Sequence, residues 1–152
     1  GRCLSVGDVL PSFKLTGQDM SDVTNESFAG STLVVSCIPS IDTPVCAIQT
    51  KKFNEEVSSY GDNVKVLTVS LDLPFAQARW CGAEGIENVT TASDYKYRGF
   101  GEDFGVYIQE LGLLARAIFV ANADGKIEHV EYVSEVSEEP DYDRVKEVVS
   151  GL

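Results

Sequence analysis

The sequence is poor in the residues that mark several protein classes. It has one histidine, one methionine, one tryptophan and four cysteines among 152 residues. Those cysteines, Cys3, Cys37, Cys46 and Cys81, are too few to hold a chain of this length together as a disulfide scaffold. They form no CxxC pair, which removes the dithiol oxidoreductase motif and the commonest zinc-finger spacing. No apolar run approaches the roughly 20 residues needed to cross a bilayer. Gly1-Arg2-Cys3-Leu4-Ser5 is not a signal peptide, so the expected location is cytoplasmic. Basic residues are scarce as well: 12 Lys and Arg face 24 Asp and Glu, for a net charge of −12. Such a chain repels phosphate backbones and anionic membranes, so neither nucleic acid nor membrane is an expected partner. The acidity itself reads as solubility.

What is present describes one ordinary domain spanning 1–152. The length suffices for a single core, and a hydrophobic fraction of 43% argues against disorder. Gly7–Phe13 reads as an extended entry. Thr32–Ile38 is a β-branched apolar run that reads as a buried central strand ended by Pro39. From Cys46 to Tyr60 the pattern becomes helical, with Ile48, Phe53 and Val57 on the apolar side and Gly61 as a stop. Val64–Leu71 is the next buried strand, and Pro74 suits the first turn of a helix carrying Phe75 to Trp80 and Cys81 and ending near Gly82. Asn88–Ser93 and Arg116–Ala121 read as further strands. Asn122-Ala123-Asp124-Gly125 is a hairpin turn into an antiparallel strand over Lys126–Val133, and Tyr142–Val149 is a closing helix. Helices between strands imply parallel crossovers, and the hairpin adds antiparallel edges. The expected fold is α/β, a mixed central sheet with helices on both faces, and thioredoxin-like architecture fits this order.

The chemistry concentrates in Pro39-Ser40-Ile41-Asp42-Thr43-Pro44-Val45-Cys46, between a buried strand and a helix start. A thiol is a poor nucleophile until ionised, and a free cysteine has a pKa of about 8.5. The first turn of a helix offers unpaired N–H groups and the positive end of the macrodipole, which favour a thiolate. Thr43 can bring its hydroxyl near the same sulfur, Pro39 and Pro44 stiffen the loop, and Pro39 can shield the site from water. Taken alone, Cys46 reads as a buried and inert cysteine. Pro39 and Thr43 at these offsets favour the reactive reading.

Pro39, Thr43 and Cys46 match the P-x-x-x-T-x-x-C signature of peroxiredoxins. The longer string resembles the bacterial thiol peroxidase group of atypical two-cysteine peroxiredoxins. The likeness extends through Asp72-Leu73-Pro74-Phe75-Ala76-Gln77, Trp80-Cys81-Gly82-Ala83-Glu84-Gly85, Leu113-Leu114-Ala115-Arg116-Ala117 and Glu139-Pro140-Asp141-Tyr142. The resemblance implies that Cys46 is the peroxidatic cysteine and Cys81 the resolving one, joined in an intramolecular redox disulfide. It implies that Thr43 orients peroxide and thiolate, and that Arg116 stabilises the thiolate and the charge developing on the peroxide oxygens, a task suited to a fixed, permanently charged guanidinium. It implies hydrogen peroxide and organic hydroperoxides as substrates, thioredoxin as reductant, a homodimer, and no metal or organic cofactor. Cys46 and Cys81 are 35 residues apart, and disulfide Cα atoms must approach within about 7 Å, so their pairing calls for local unfolding at Cys81. The family opens with a short β-hairpin ahead of the segment at Gly1, most of which this sequence lacks.

Other residues carry competing readings. Cys81 is otherwise a core residue, and Arg116 a strand-end ion-pair partner. Pro39 and Trp80 are candidates for the substrate pocket, with Phe75 either there or in the core. Asp42 is a candidate cap for the following helix, and Glu84 is expected near Cys81. Cys37 reads as a core thiol, Cys3 as incidental and His129 as structural. A metal site built from the cysteines and His129 lacks metal-like spacing. A different function class uses the same sulfur chemistry: a peroxide-sensing redox switch, in which the disulfide changes partner binding. Fast multiple turnover with thioredoxin separates the enzyme from the sensor.

Overall fold

The computed structural model describes residues 3–134 and 138–152. Lys14–Gly17 (β1) and Asp22–Thr24 (β2) form an antiparallel hairpin, an element with no counterpart in the sequence reading. Thr32–Cys37 (β3) is buried at every position, as its largely apolar composition implies for a central strand. Pro44–Glu56 (α1) leads by a short 3-10 turn to Val64–Ser70 (β4). Pro74–Glu84 (α2) follows, then Thr90–Ser93 (β5), a strand two residues shorter at its start than expected. Gly99–Asp103 (α3) and the small hairpin Tyr107–Ile108 (β6) and Leu113–Leu114 (β7) were not foreseen. Ala117–Ala121 (β8), Ile127–Tyr132 (β9) and Tyr142–Ser150 (α4) close the chain.

The seven-stranded sheet runs β2-β1-β5-β4-β3-β8-β9. β3, β4 and β5 are parallel, and β8 lies antiparallel to β3 on its other side. The sheet is therefore mixed. Alternation along the strands divides the core between its faces. Val34, Val66, Ile118 and Val120 pack with Phe53 of α1, Cys81 of α2 and Val145 and Val149 of α4. On the other face Leu33, Val35, Leu67, Val69 and Phe119 meet the entry segment and Phe100 and Phe104 around α3. Burying both faces accounts for the near-continuous apolar composition of β3, β4 and β8.

Two sequence expectations shift for physical reasons. α2 does not stop at Gly82. It runs to Glu84 and ends at Gly85, whose φ of 68° closes the helix in the left-handed region that glycine adopts without steric cost. α1 buries Cys46, Gln49, Thr50 and Phe53, whereas Ile48 is 49% exposed. The face spaced by three and four residues back from Val57 through Phe53 passes through polar Gln49 and Thr50, so the inward stripe is only partly apolar.

Candidate active site

Thr43 is the N-cap of α1 with extended backbone, and Pro44 takes the first helical position, where its fixed φ suits the helix and its missing N–H costs nothing. The helix's bonding begins with Ala47 N–H donating to Thr43 O at 3.0 Å. Cys46 therefore sits in the first turn, beside N–H groups that have no partner one turn back, at the positive end of the macrodipole. It is fully buried, against Ile38, Ile41 and Trp80. Asp42 does not cap this helix. It is exposed and pairs loosely with Arg79 of α2 at 3.7 Å.

Arg116 reaches the same end of the sheet through strand pairing. β8 runs antiparallel to β3 and sets Ala117 opposite Cys37, so the residue before β8 arrives where β3 gives way to the Cys46 loop. The side chain is only 2% exposed. Its Nη1 donates to Gln49 Oε1 at 2.7 Å, and Gln49 Nε2 donates to Ser36 Oγ at 2.6 Å. Gln49 is fully buried and joins α1, β3 and Arg116. Sequence reading missed it. The available signal was its place one turn after Cys46 and one turn before Phe53, which puts a polar side chain on the buried face.

An apolar cavity of about 340 Å³ opens here, lined by Pro39, Thr43, Pro44, Val45, Ile108, Leu111, Leu113 and Arg116. Pro39, Thr43 and Arg116 thus come together, and the β6–β7 hairpin supplies an unforeseen wall. Thr43 Oγ1 donates to Ser40 O at 3.0 Å. Trp80 does not line this cavity. It lies on α2 and packs against both the Ile38–Ile41–Cys46 cluster and the cluster that holds Cys81. Phe75 points outward, 65% exposed.

Cys81 is buried on α2, and all four cysteines are free thiols. Burial pushes the Cys81 thiol above its ordinary pKa, partly offset by hydrogen bonds from the Thr91 hydroxyl and the Gln18 amide. Gln18 Nε2 also donates to Thr91 Oγ1 at 2.5 Å. Cys46 and Cys81 belong to separate buried clusters. Cys37 lies in the core of β3, its thiol raised by burial and by the negative charge of Asp94. Cys3 is exposed. His129 lies on β9 outside the cavity, and burial lowers its pKa. Glu84 pairs with Lys51 at 2.6 Å, joining α2 to α1.

The β3–α1 loop is fastened by a residue that sequence reading gave no site role. Asp72 Oδ1 accepts from Ser40 Oγ at 2.7 Å, and its Oδ2 accepts from Ile41 N–H at 2.7 Å and Ser70 Oγ at 2.6 Å.

Comparison with known proteins agrees with this architecture. The chain is 48% identical over 152 residues to a thiol peroxidase of Bacillus subtilis, covering 100% of this chain and 90% of that protein. It is 49% identical over its full length to a thiol peroxidase of Streptococcus sanguinis, of which it covers 93%. The crystal structure of a peroxiredoxin-like protein from Aquifex aeolicus superposes with a TM-score of 0.91 at 42% identity, covering 99% of this chain and 89% of that one. Residues 5–146 match the Redoxin family. With that match over most of its length, and with full-length relatives at nearly half identity, the chain belongs to the Redoxin family.

Proposed function

We propose that the protein is a thioredoxin-dependent thiol peroxidase that reduces hydrogen peroxide and organic hydroperoxides through Cys46 and Cys81. The Cys46 thiolate attacks one peroxide oxygen. The S–O bond forms as the O–O bond breaks, the alkoxide or hydroxide leaves and takes a proton, and Cys46 becomes a sulfenic acid. Sulfur loses two electrons and the peroxide gains them. Arg116 stabilises the negative charge passing onto the leaving oxygen, beside an apolar-lined cavity where such charge is costly without a cation. Thr43 orients the reactants, and Pro39 covers the site. Cys81, as thiolate, then attacks the sulfenic sulfur. The S–S bond forms, the S–O bond breaks, and the departing hydroxide is protonated to water. A reduced dithiol donor, thioredoxin, reopens the disulfide.

The observation that carries the reading is the joint placement of Cys46 in the first turn of α1 and of Gln49, one turn later, as the acceptor for Arg116. Trp80 acts beside Cys46 and Cys81 instead of in the cavity, because it packs against both of their clusters. The resemblance adds a homodimer. A thioredoxin-driven cycle also needs a compartment in which reduced dithiols are maintained, which the cytoplasm provides. No helix among the described residues is long and apolar enough to cross a membrane.

The test is a thioredoxin-coupled peroxide assay with mass-spectrometric mapping of cysteine pairs. Cys46→Ser abolishes turnover. Cys81→Ser retains one round of Cys46 oxidation and loses efficient recycling. Unchanged steady-state turnover in Cys46→Ser rejects the assignment.

A further inference from the structure

A cysteine that reacts inside a folded site and then pairs with a distant cysteine must occupy two arrangements. In this structure Cys46 is fully buried in the first turn of α1, in a cluster separate from that of Cys81. Cα atoms farther apart than about 7 Å cannot be bridged without backbone movement, and Trp80 packs against both clusters. Both thiols are buried, so pairing them requires the Cys46 loop, the Cys81 helix or both to move, and the loop before α1 is the element whose release frees Cys46.

Ser40 and Ile41 carry the centre of that loop. Among the described residues, the hydrogen bonds from them to another element end on one carboxylate, that of Asp72. Ser40 Oγ in turn accepts from Asp42 N–H at 3.2 Å, and Thr43 N–H and Oγ1 both return to Ser40 O. The turn from Ser40 to the N-cap of α1 thus hangs from Asp72. Ile41 is 1% exposed and packs directly with Cys46. Among the described residues, the remaining polar tie between loop and α2 is the exposed Asp42–Arg79 pair at 3.7 Å, a class of contact that contributes little.

The other side of Asp72 is anchored. Ser70 Oγ donates to its carboxylate and accepts from Gln77 Nε2 of α2 at 3.0 Å. Gln77 Nε2 also reaches Ala92 O at 3.0 Å, and Ser93 Oγ donates to Asp72 O at 2.5 Å. β4, β5 and the start of the Cys81 helix fix the carboxylate, and the carboxylate fixes the Cys46 loop. Hydrogen bonds to a charged acceptor are stronger than neutral ones, so losing this set favours the open loop.

Building on the Cys46–Cys81 cycle proposed above, we infer that Asp72 is a positioning residue that holds the Cys46 loop in its peroxide-reactive form and so sets the balance between peroxide reduction and disulfide formation. With Asp72 in place, the closed loop lives long enough for a second peroxide to compete with Cys81 for the sulfenic acid. In that competing reaction the second O–O bond breaks, the alcohol or water leaves, and Cys46 becomes a sulfinic acid. Without Asp72, the closed form is rarer and the open form commoner.

The experiment measures three quantities in single turnover on the full chain: the rate of Cys46 oxidation, the rate of disulfide formation, and the peroxide concentration at which half of Cys46 becomes sulfinic acid. Asp72→Ala slows the first about tenfold, speeds the second by a similar factor and raises the third, on the scale expected for losing bonds to a charged acceptor. Asp72→Asn, which keeps one acceptor for Ile41 N–H, falls between it and the wild type. Leu10→Ala, a truncation in the core cluster that holds neither Cys46 nor Cys81, lowers stability and leaves the ratio of the two rates unchanged. If Asp72→Ala slows both steps together, or leaves their ratio within twofold of wild type, the inference fails. Should Asp72→Ala not fold, Ser40→Ala and Ser70→Ala each remove one hydrogen bond to its carboxylate, and an unchanged ratio in both overturns it equally. A wild-type protein that forms no Cys46–Cys81 disulfide sinks the cycle and this inference together. A wild type that forms the disulfide alongside an unresponsive Asp72→Ala sinks only the role of Asp72.

Discussion

Gln49 places a fully buried amide between Ser36 Oγ and Arg116 Nη1, so each end has a partner of the right kind. A leucine or methionine in its place fills the space and takes one acceptor from a buried guanidinium. Such losses cost about 1–3 kcal/mol, more when the group is charged. Gln49→Met is therefore expected to slow Cys46 oxidation about tenfold, by letting Arg116 drift from the cavity, and stopped-flow peroxide oxidation measures it. Gln49→Glu supplies an acceptor and retains more of the rate than Gln49→Met. The same scale explains why the local motif was readable. Pro39, Thr43 and Cys46 fall within eight consecutive residues, and a proline followed by a helix start constrains its own neighbourhood. Gln49 was legible only as a polar position on the buried face of α1, and the site roles of Gln49 and Asp72 were not, because each acts on a group brought to it by another element.

The β6–β7 hairpin shows the same division among elements. It walls the cavity with Ile108, Leu111 and Leu113, yet its strands are only two residues each, too short for any periodic signal. What places it is α3, itself five residues long. Asp94, at the end of β5, accepts from Phe100 N–H at 3.2 Å and Gly101 N–H at 2.9 Å. A Cβ on Gly101 would lie 3.0 Å from both Leu114 Cδ2 and Tyr107 Cβ. Gly101→Ala therefore pushes β6 and β7 off α3 and is expected to destabilise the protein by about 1–3 kcal/mol, the usual range for overpacking. Urea denaturation checks that figure. Because Leu114 lies two residues before Arg116, the substitution also slows Cys46 oxidation, by less than Gln49→Met does. The longer elements were legible for the opposite reason. β3, β4 and β8 are buried on both faces and declare themselves as apolar runs, whereas α1 buries Gln49 and Thr50 and so blurred its own stripe.

Across the whole molecule, several buried acids are held in their neutral forms. Burial, and then the charge of Asp94, raises the Cys37 thiol; burial, less two hydrogen bonds, raises Cys81. A group whose folded pKa is raised stabilises the fold fully below its unfolded value and loses that contribution as pH climbs toward the folded value. The unfolded thiol value is about 8.5. Stability is thus expected to hold to about that pH and to decline above it, as the unfolded chain releases protons that the folded chain retains. Melting temperatures measured from pH 7 to 10 test this. Cys37→Ala removes the more deeply buried thiol and flattens the alkaline decline, and an unaltered slope in that variant refutes the explanation.

The sequence by itself determined the family likeness, the mixed α/β order and the identity of the candidate reacting loop. Each depends on residues close together in the chain or on apolar runs that report burial directly. Tertiary structure decided the rest. It brought Arg116 to Gln49 because β8 is antiparallel to β3 with Ala117 opposite Cys37. It raised an apolar wall from a hairpin too short to predict, and it moved Trp80 from the expected pocket to the packing between two cysteine clusters. It also suspended the Cys46 loop from Asp72, 31 residues beyond Ile41. Strand direction and register set these meetings, and no local stretch of sequence encodes them.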